Sequence, residues 1–502
     1  MAGNAVERKR SRVFITPQRA GPANAPEYLM FSAPGALAWP QGDVTKHKAP
    51  SPTRRDRFET IGRTQDAQEN ATISVTVTDQ LAKSRMFELV KQRCAFDVYI
   101  VHGLCQDPQD LNGGWSTGKV RILEQARFTD YSTDELGGMD ESADGIVMEE
   151  LSISAENVYE VLPMSYIEKA KSQVVAQVVK VLFPDSVQCG DCGDVPSDGI
   201  SKAAALVSPA GSSPGTLPEV VATKDGYTTV IESAITTMTS VEEVSDMANV
   251  SDYLVVLQSA TTGAIHYINL EDMLNGVGTW TEVTTGLVAS GAPKAISSVG
   301  PRDTIIVGNG GYIYKMVDAT AGVAVMDAGV ATSENLNAVH MFDLDVAVAV
   351  GENNAVVYTF NGQDFQAVTG PEPGAALNTV WVKGKKEWFI GTATGKLWYT
   401  RDAGINWIQK RFVGDESGEV HDIRFVSDAI GYLAHETTAP AGRILRTIDG
   451  GFSWFVVPEG QGSIPVCDAV YSIAVPEEDP NVIIAGGLAD NAADGILIKG
   501  SA

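Results

Sequence analysis

Between residues 216 and 502 one pattern returns with a period of 41 to 50 residues. Each copy has an apolar strand, a second strand closing on Gly, a third strand entering a polar turn, and a fourth strand led by an aromatic residue. "LNTVWVKG / KEWFIGTAT / GKLWYTRDAG / NWIQKRF" and "EVHDIRFVS / AIGYLAHETT / GRILRTIDGG / SWFVVPEG" are the clearest copies, and "LNAVHMFD / DVAVAVGEN / AVVYTFNG / FQAVTG" precedes them. The turns are anchored at Asp225, Asn275, Asp318, Asn361, Asp402 and Asp449. A small four-stranded sheet cannot cover both of its own faces. Stacking such sheets around an axis buries each on its neighbour, and four strands at this period are the pattern of a β-propeller. The last unit, "CDAVYSIAVP / NVIIAGGLA / GILIKG", offers three strands, and "YTTVIES" after Asp225 is the expected fourth. That count gives six blades sealed by both ends of the repeat region, with seven as the alternative.

Two of the turns share Thr-x-Asp-x-Gly-x-x-Trp: Thr400, Asp402, Gly404 and Trp407, then Thr447, Asp449, Gly451 and Trp454. A short carboxylate can accept backbone N–H groups in a tight turn, Gly permits positive φ, and the aromatic residue packs between blades. The spacing is therefore read as structural. Asn275 with Trp280 is a degenerate copy.

Upstream, residues 1–25 are polar and basic and read as a flexible arm. Residues 26–185 form a first β domain. In "ATISVTV", Ile73, Val75 and Val77 alternate with Thr residues and Ser74, as a half-buried strand does. "TDQLAKSRMFELVKQRC" offers Asp79 as an N-cap and Ala82, Met86, Leu89 and Val90 on one helical face. "FDVYIVHG", "KVRILEQARFTDYS" and "GIVMEELSIS" follow as strands, and "QGDVTKHKAPSPTRRDRFETIGRTQDAQEN" as a projecting loop or hairpin. "YIEKAKSQVVAQVVKVLF" suits a strand or a short helix equally. The Cys-, Gly-, Pro- and Ser-rich stretch 186–215 reads as a linker, and the propeller is placed at 216–502.

The formal charge of -26 argues against a reader of nucleic-acid sequence, since phosphate contact needs Lys and Arg. The sign is uneven. Residues 1–60 carry a net +5, while Phe128 to Glu160 holds ten acids and no base. A solvated face is the plain reading of that run, whose candidate interface or lumen residues are Asp130, Asp134, Glu135, Asp140, Glu141, Asp144, Glu149 and Glu150. The most apolar run, "VVAQVVKVLF", is about half a membrane span and contains Lys180. The basic N-terminus lacks the apolar stretch of a secretory signal, so assembly in a cytoplasm is expected, without membrane insertion.

Catalysis is not expected. No Walker loop, HExxH or GxSxG occurs. Of the arginines in the repeats, Arg401 sits inside a turn motif, and His421–Asp422 lies on a strand where alternation sets the two apart. Cys189 and Cys192 form a lone CxxC. Cys94 and Cys105 are too far apart for a second zinc knuckle, and Cys467 stands alone. No metal and no cofactor is expected.

Two resemblances join this reading. The Thr-x-Asp-x-Gly-x-x-Trp turns resemble the Asp-box repeat of sialidases, sortilin-type receptors and photosystem assembly factors, in which the box is an outer hairpin remote from the ligand face. The phrases "FDVYIVHGLCQDPQDLNG", "ILEQARFTDYSTDELGGMDE" and "ISAENVYEVLPMSYIEKA" resemble tail tube proteins of long-tailed bacteriophages. That resemblance implies a β-sandwich or barrel subunit with one packed helix that closes into rings, usually hexameric, and stacks into a DNA-conducting tube. It implies as partners the chain itself, other tail proteins and the passing genome, held without specific binding. The propeller would decorate the outside of a virion and has a host-surface glycan as its possible ligand. A receptor- or glycan-binding adhesin is the alternative, and a propeller glycoside hydrolase a remoter one.

Overall fold

In the computed structural model the described residues are 12–17, 29–32, 37–38, 46–50, 58–63, 70–76, 95–102, 119–132, 148–155, 157–162, 165–183, 202–209, 217–223, 230–238, 244–259, 263–299, 303–412, 417–438, 441–457, 464–476, 481–490 and 494–501. The chain forms two compact units: residues 1–49 with 59–163, and residues 50–58 with 164–502.

The first unit is built on β1 (Arg12–Pro17), β2 (Leu29–Ser32), β3 (Leu37–Ala38), β4 (Lys46–Pro50), β5 (Phe58–Arg63), β6 (Asn70–Thr76), β7 (Phe96–His102), β8 (Lys119–Ser132), β9 (Met148–Ser154) and β10 (Asn157–Val161). β8 is long enough to serve two neighbours along one edge. Its first half pairs with β10 and its second half with β9, while β7 lies along its other edge. β9 pairs in turn with β6, β6 touches β2 through Thr76 and Ser32, and β2–β1–β7 completes the path. The pairing closes on itself through β7, β8, β9, β6, β2 and β1. Closure removes sheet edges, which would otherwise leave rows of unpaired backbone groups. Phe96, Val98 and Ile100 are buried as the alternation predicts. Tyr99 is buried too, so both faces of β7 are covered there.

One expectation changes here. Arg12–Pro17, assigned to a flexible arm, is a strand held between β2 and β7. Within the segment expected as a projecting loop or hairpin, β4 pairs with β5 in a two-stranded sheet. The expected helix at Asp79–Val90 lies outside the described residues.

The second unit is a ring of antiparallel sheets. Five have four strands: blade 2 (Val244–Val250, Tyr253–Gln258, Ala264–Asn269, Thr281–Val283), blade 3 (from Pro293 to Ala328), blade 4 (from Leu336 to Thr369), blade 5 (from Leu377 to Lys410) and blade 6 (from Glu419 to Val456). The remaining sheet has seven strands and divides into two blades at one shared strand, β11 (Ser165–Leu182). Ser165–Val175 pairs with Asp494–Ser501 as the outermost strand of blade 7, beyond Val482–Ala489 and Cys467–Ala474. Ala176–Leu182 then becomes the innermost strand of blade 1, followed by Ala203–Pro209, Glu219–Thr223 and Ile231–Ala234. Seven blades result, not six. Ile231–Ala234, expected to complete the last blade, is the outer strand of the first, and β11 makes the closure. The ambiguous stretch is a strand, and residues 203–209 of the expected linker lie inside blade 1, so the ring begins at residue 164 and not at 216.

Burial follows from position in the ring. Second strands lie against both neighbouring blades and read as continuous apolar runs: Thr304–Gly308, Ala347–Gly351 and Tyr253–Gln258 are buried nearly throughout. Fourth strands such as Gln366–Thr369 are largely exposed. The core is accordingly split into layers between blades. Val255, Leu257 and Ile265 of blade 2 meet Ile296, Ile306 and Tyr314 of blade 3, and Phe389, Leu397 and Tyr399 of blade 5 meet Ile423, Leu433 and Trp454 of blade 6.

Candidate functional site: the propeller channel and its turns

Every innermost strand shifts register near its start. The shifts fall between Val178 and Lys180, Val244 and Asp246, Pro293 and Ala295, Leu336 and Ala338, Leu377 and Thr379, Val420 and Asp422, and Cys467 and Ala469. Each shift leaves one bulged residue: Val179, Ser245, Lys294, Asn337, Asn378, His421 and Asp468. A β-bulge re-aims its side chain, and all of these strands begin at the same end of the ring. The bulges therefore form a circle at one mouth of the channel, contiguously polar from blade 2 to blade 7. Lys294 Nζ donates to Asn337 Oδ1 (3.1 Å), Asn337 Nδ2 to Glu352 Oε1 (3.2 Å) and Asn378 Nδ2 to Glu419 Oε2 (3.0 Å), while His421 Nε2 lies 3.0 Å from Glu436 Oε2.

Below the mouth, polar side chains tie each blade to the next. Lys180 pairs with Asp246 across blades 1 and 2 (3.1 Å). Asp246 Oδ2 accepts from Ile296 N (2.9 Å), Ser297 Oγ from Met341 N (3.0 Å), and His340 Nδ1 from Val382 N (3.2 Å). Lys383 Nζ donates to Asp428 O (2.7 Å). Asp422 Oδ2 accepts from Ser472 Oγ (3.0 Å) and Ile473 N (3.1 Å), and Ser472 Oγ accepts from Val181 N (3.3 Å). The circuit passes through all seven blades. It also fixes chemistry: His340 must present an unprotonated Nδ1 to accept. Asp422 is turned into the junction of blades 6 and 7, so His421 and Asp422 serve different partners.

The channel encloses a cavity of about 350 Å³, lined among others by Lys180, Lys294, Asn378, His421, Arg424 and Tyr471. Tyr471 packs edge-on against His421 (5.0 Å between centroids). Burial raises its hydroxyl pKa, and Glu436, Glu419 and Asp468 raise it further, so at neutral pH it remains a donor. Arg424 lies 3.5 Å from Asp422 through Nε and 5.8 Å over the ring of Trp381.

The repeated turns join third to fourth strands, at the opposite end of the ring from the bulges. Thr400 Oγ1 donates to Asp402 Oδ1 (2.9 Å) and accepts from Gly404 N (2.9 Å), while Asp402 Oδ1 accepts from Asn406 N (2.8 Å). The second copy repeats this wiring: Thr447 Oγ1 to Asp449 Oδ1 (2.8 Å), Gly451 N to Thr447 Oγ1 (2.9 Å) and Ser453 N to Asp449 Oδ1 (2.9 Å). In blade 4 the amide Asn361 stands in for the carboxylate, with Thr359 Oγ1 (3.0 Å) and Asp364 N (2.9 Å) as its donors. Trp407 Nε1 donates to Thr369 O of blade 4 (2.9 Å), and Trp280 Nε1 to Ser233 Oγ of blade 1 (3.1 Å), so each reaches the outer strand of the preceding blade. Trp454 is instead driven into the apolar layer, edge-on to Phe389 and Phe425.

Of the acidic candidates, Asp130 lies opposite Ser152 in the β8–β9 pair, and Glu149 and Glu150 lie opposite Val75 and Ser74 in the β6–β9 pair. Asp134, Glu135, Asp140, Glu141 and Asp144 fall outside the described residues, as do Cys94, Cys105, Cys189, Cys192 and Asp225. Cys467 is a free thiol, and burial pushes its pKa up to about 11. Among the described residues no group of His, Cys, Asp or Glu is arranged to hold a metal, and no helix is long and apolar enough to cross a membrane.

No protein-family model and no curated protein sequence matches the chain. Solved structures similar to it include YCF48 bound to a D1 peptide (15% identity over 68% of this chain and 98% of that one, TM-score 0.48). Virginiamycin B lyase from Staphylococcus aureus, in a catalytically inactive form with quinupristin, is another (13%, 68% and 99%, TM-score 0.49). The WD40 β-propeller domain of Doa1 is a third (13%, 67% and 97%, TM-score 0.45).

The bulge circle was missed in the sequence, although a signal for it exists. From Ser245 to Asp468 each bulged residue stands 17 to 20 positions after a turn anchor, so the same period read at another phase picks it out.

Proposed function

We propose that this chain is a virion structural protein. The first unit supplies the wall of a tail tube, and the propeller is carried on the tube exterior as a binding module without catalytic chemistry. The observation that carries the reading is the eight-stranded sheet of the first unit, in which β10 pairs only with β8 among the described residues and so leaves an edge that a second copy can extend into a continuous β wall. The tail-tube phrases of the sequence support it. The turns of the second unit support the Asp-box reading, since their Thr, Asp and Gly bond to one another within a hairpin and their Trp residues reach the preceding blade. The polar residues deeper in the channel support a binding module over an enzyme, because the two carboxylates that line the cavity, Asp246 and Asp422, are engaged by backbone N–H groups. Negative-stain microscopy of the full chain over a concentration series tests the proposal. Rings or stacked tubes of one diameter, with knobs outside, are expected. Monodisperse particles at every concentration, unchanged by added tail assemblies, would sink it in favour of a free-standing adhesin.

A further inference from the structure

Donor groups face the channel cavity from several blades, and few of them are matched by a protein acceptor. Lys294 of blade 3 donates only to the neutral amide of Asn337 (3.1 Å), and Lys180 of blade 1 meets a single carboxylate, Asp246. An ammonium carries three N–H donors, so both lysines keep donors to spare. Across the channel, Arg424 of blade 6 has its Nε 3.5 Å from Asp422 Oδ1, yet that Nε is buried without a hydrogen-bond partner. Ser245 of blade 2 adds a buried hydroxyl with no partner. The acceptors are already engaged. Asp246 accepts from Met247 N (2.9 Å) and Ile296 N (2.9 Å), and Asp422 from Ile423 N (2.9 Å), Ile473 N (3.1 Å) and Ser472 Oγ (3.0 Å). Glu419 and Glu436 hold Asn378 and His421, and neither lines the cavity.

We infer that this channel binds a tetrahedral oxyanion, either inorganic phosphate or the phosphoryl group of a small phosphate monoester, between Lys180, Lys294 and Arg424. Three cations line the cavity against two carboxylates, Asp246 and Asp422, so the enclosed space carries surplus positive charge. The cations stand on blades 1, 3 and 6, which are two, three and two blades apart around the ring of seven. Donors spread in that way suit a group with oxygens in three dimensions. A carboxylate has two oxygens in one plane and can answer only part of the circle, and a neutral ligand leaves the Lys294 ammonium without a counter-charge. The cavity of about 350 Å³ has room for a small organic group beside the anion. The inference rests on the reading of the propeller as a binding module and is independent of the tail-tube reading, which ring formation tests separately.

Isothermal titration of the full chain with inorganic phosphate, glycerol 3-phosphate and acetate tests it, with the shift in melting temperature as a second readout. Lys294→Gln and Arg424→Gln, each first shown by circular dichroism to be folded, locate the site, and if one does not fold the other decides. Phosphate is expected to bind at least about tenfold more tightly than acetate. Either substitution should weaken phosphate binding about tenfold to a hundredfold, the range of one charge-assisted hydrogen bond. Tighter binding of glycerol 3-phosphate than of phosphate supports an ester as the ligand, and weaker binding supports the free ion. Acetate bound as tightly as phosphate overturns the inference, as does phosphate affinity unchanged in a folded variant. Neither heat nor a melting shift with both phosphorus compounds overturns it too.

Discussion

Replacing Gly451 with Ala tests whether the turn motif works by pressing one blade against another. Gly451 has φ +88, and a Cβ built there would stand 2.5 Å from Phe389 Cζ, 2.8 Å from Phe389 Cε1 and 3.2 Å from Phe425 Cζ. Phe389 cannot swing aside, because its ring is wedged among Tyr399, Phe425 and Trp454. The left-handed backbone alone costs Ala about 1–2 kcal/mol, and overpacking a closed layer adds about 1–3 kcal/mol. A loss of about 2–5 kcal/mol is therefore expected. Gly374 separates the two causes, since its φ is +79 but nothing lies within 4 Å of a Cβ there. Gly374→Ala should lose only the backbone part, about 1–2 kcal/mol. Urea unfolding of both variants, followed by far-UV circular dichroism and Trp fluorescence, measures the difference. Equal losses, to within about 0.5 kcal/mol, would refute the contact of Gly451 with Phe389 as the source of the requirement for glycine.

Other outcomes follow from the same packing. Asp422→Ala leaves Ile473 N and Ser472 Oγ unanswered at the junction of blades 6 and 7, so a loss of about 3 kcal/mol or more is expected in urea unfolding. Chains begun at residue 186 or 216 lack β11 and with it the edge of blade 7 and the inner strand of blade 1. They should expose apolar surface to a fluorescent hydrophobic probe, while a chain begun at residue 164 should not. Burial lowers the pKa of His266 to about 4, where its ring nitrogens meet Thr237 Oγ1 and Gln258 Oε1 at 2.8 Å. Because the folded state disfavours the proton, the stability this group confers is complete above the unfolded value near pH 6.5. It falls as pH drops toward 4, by about 1.4 kcal/mol per unit. The pH dependence of wild type minus that of His266→Gln over pH 4–7 should show that slope, and coincident curves would refute it.

Much of the ring was legible in the sequence for a physical reason. Each blade repeats the same local problem, so strand, turn and aromatic residue recur at one period. Leu377–Gly384, Glu387–Thr392 and Glu419–Phe425 stand where the pattern puts them. The turns were equally readable, since the Thr, Asp and Gly of each motif bond to one another within a few residues. The N-terminal strands "ATISVTV" and "FDVYIVHG" were legible from their alternation.

The count of blades was not, because closure is made between residues more than 300 positions apart: Ser165 lies opposite Ser501. β11 carries no copy of the turn motif and no period of its own. It serves two blades by being twice the usual strand length, which local patterning reads as ambiguity. The functional mouth was hidden for a related reason. Lys294, Asn337, Asn378 and His421 are ordinary polar residues at the start of strands, and only bulges repeated around a closed ring turn them toward one cavity. The sequence determined what each segment becomes, since periodicity and turn chemistry act within a few residues. The tertiary structure decided how many segments close the circle and which side chains share its axis, since both depend on contacts between distant strands.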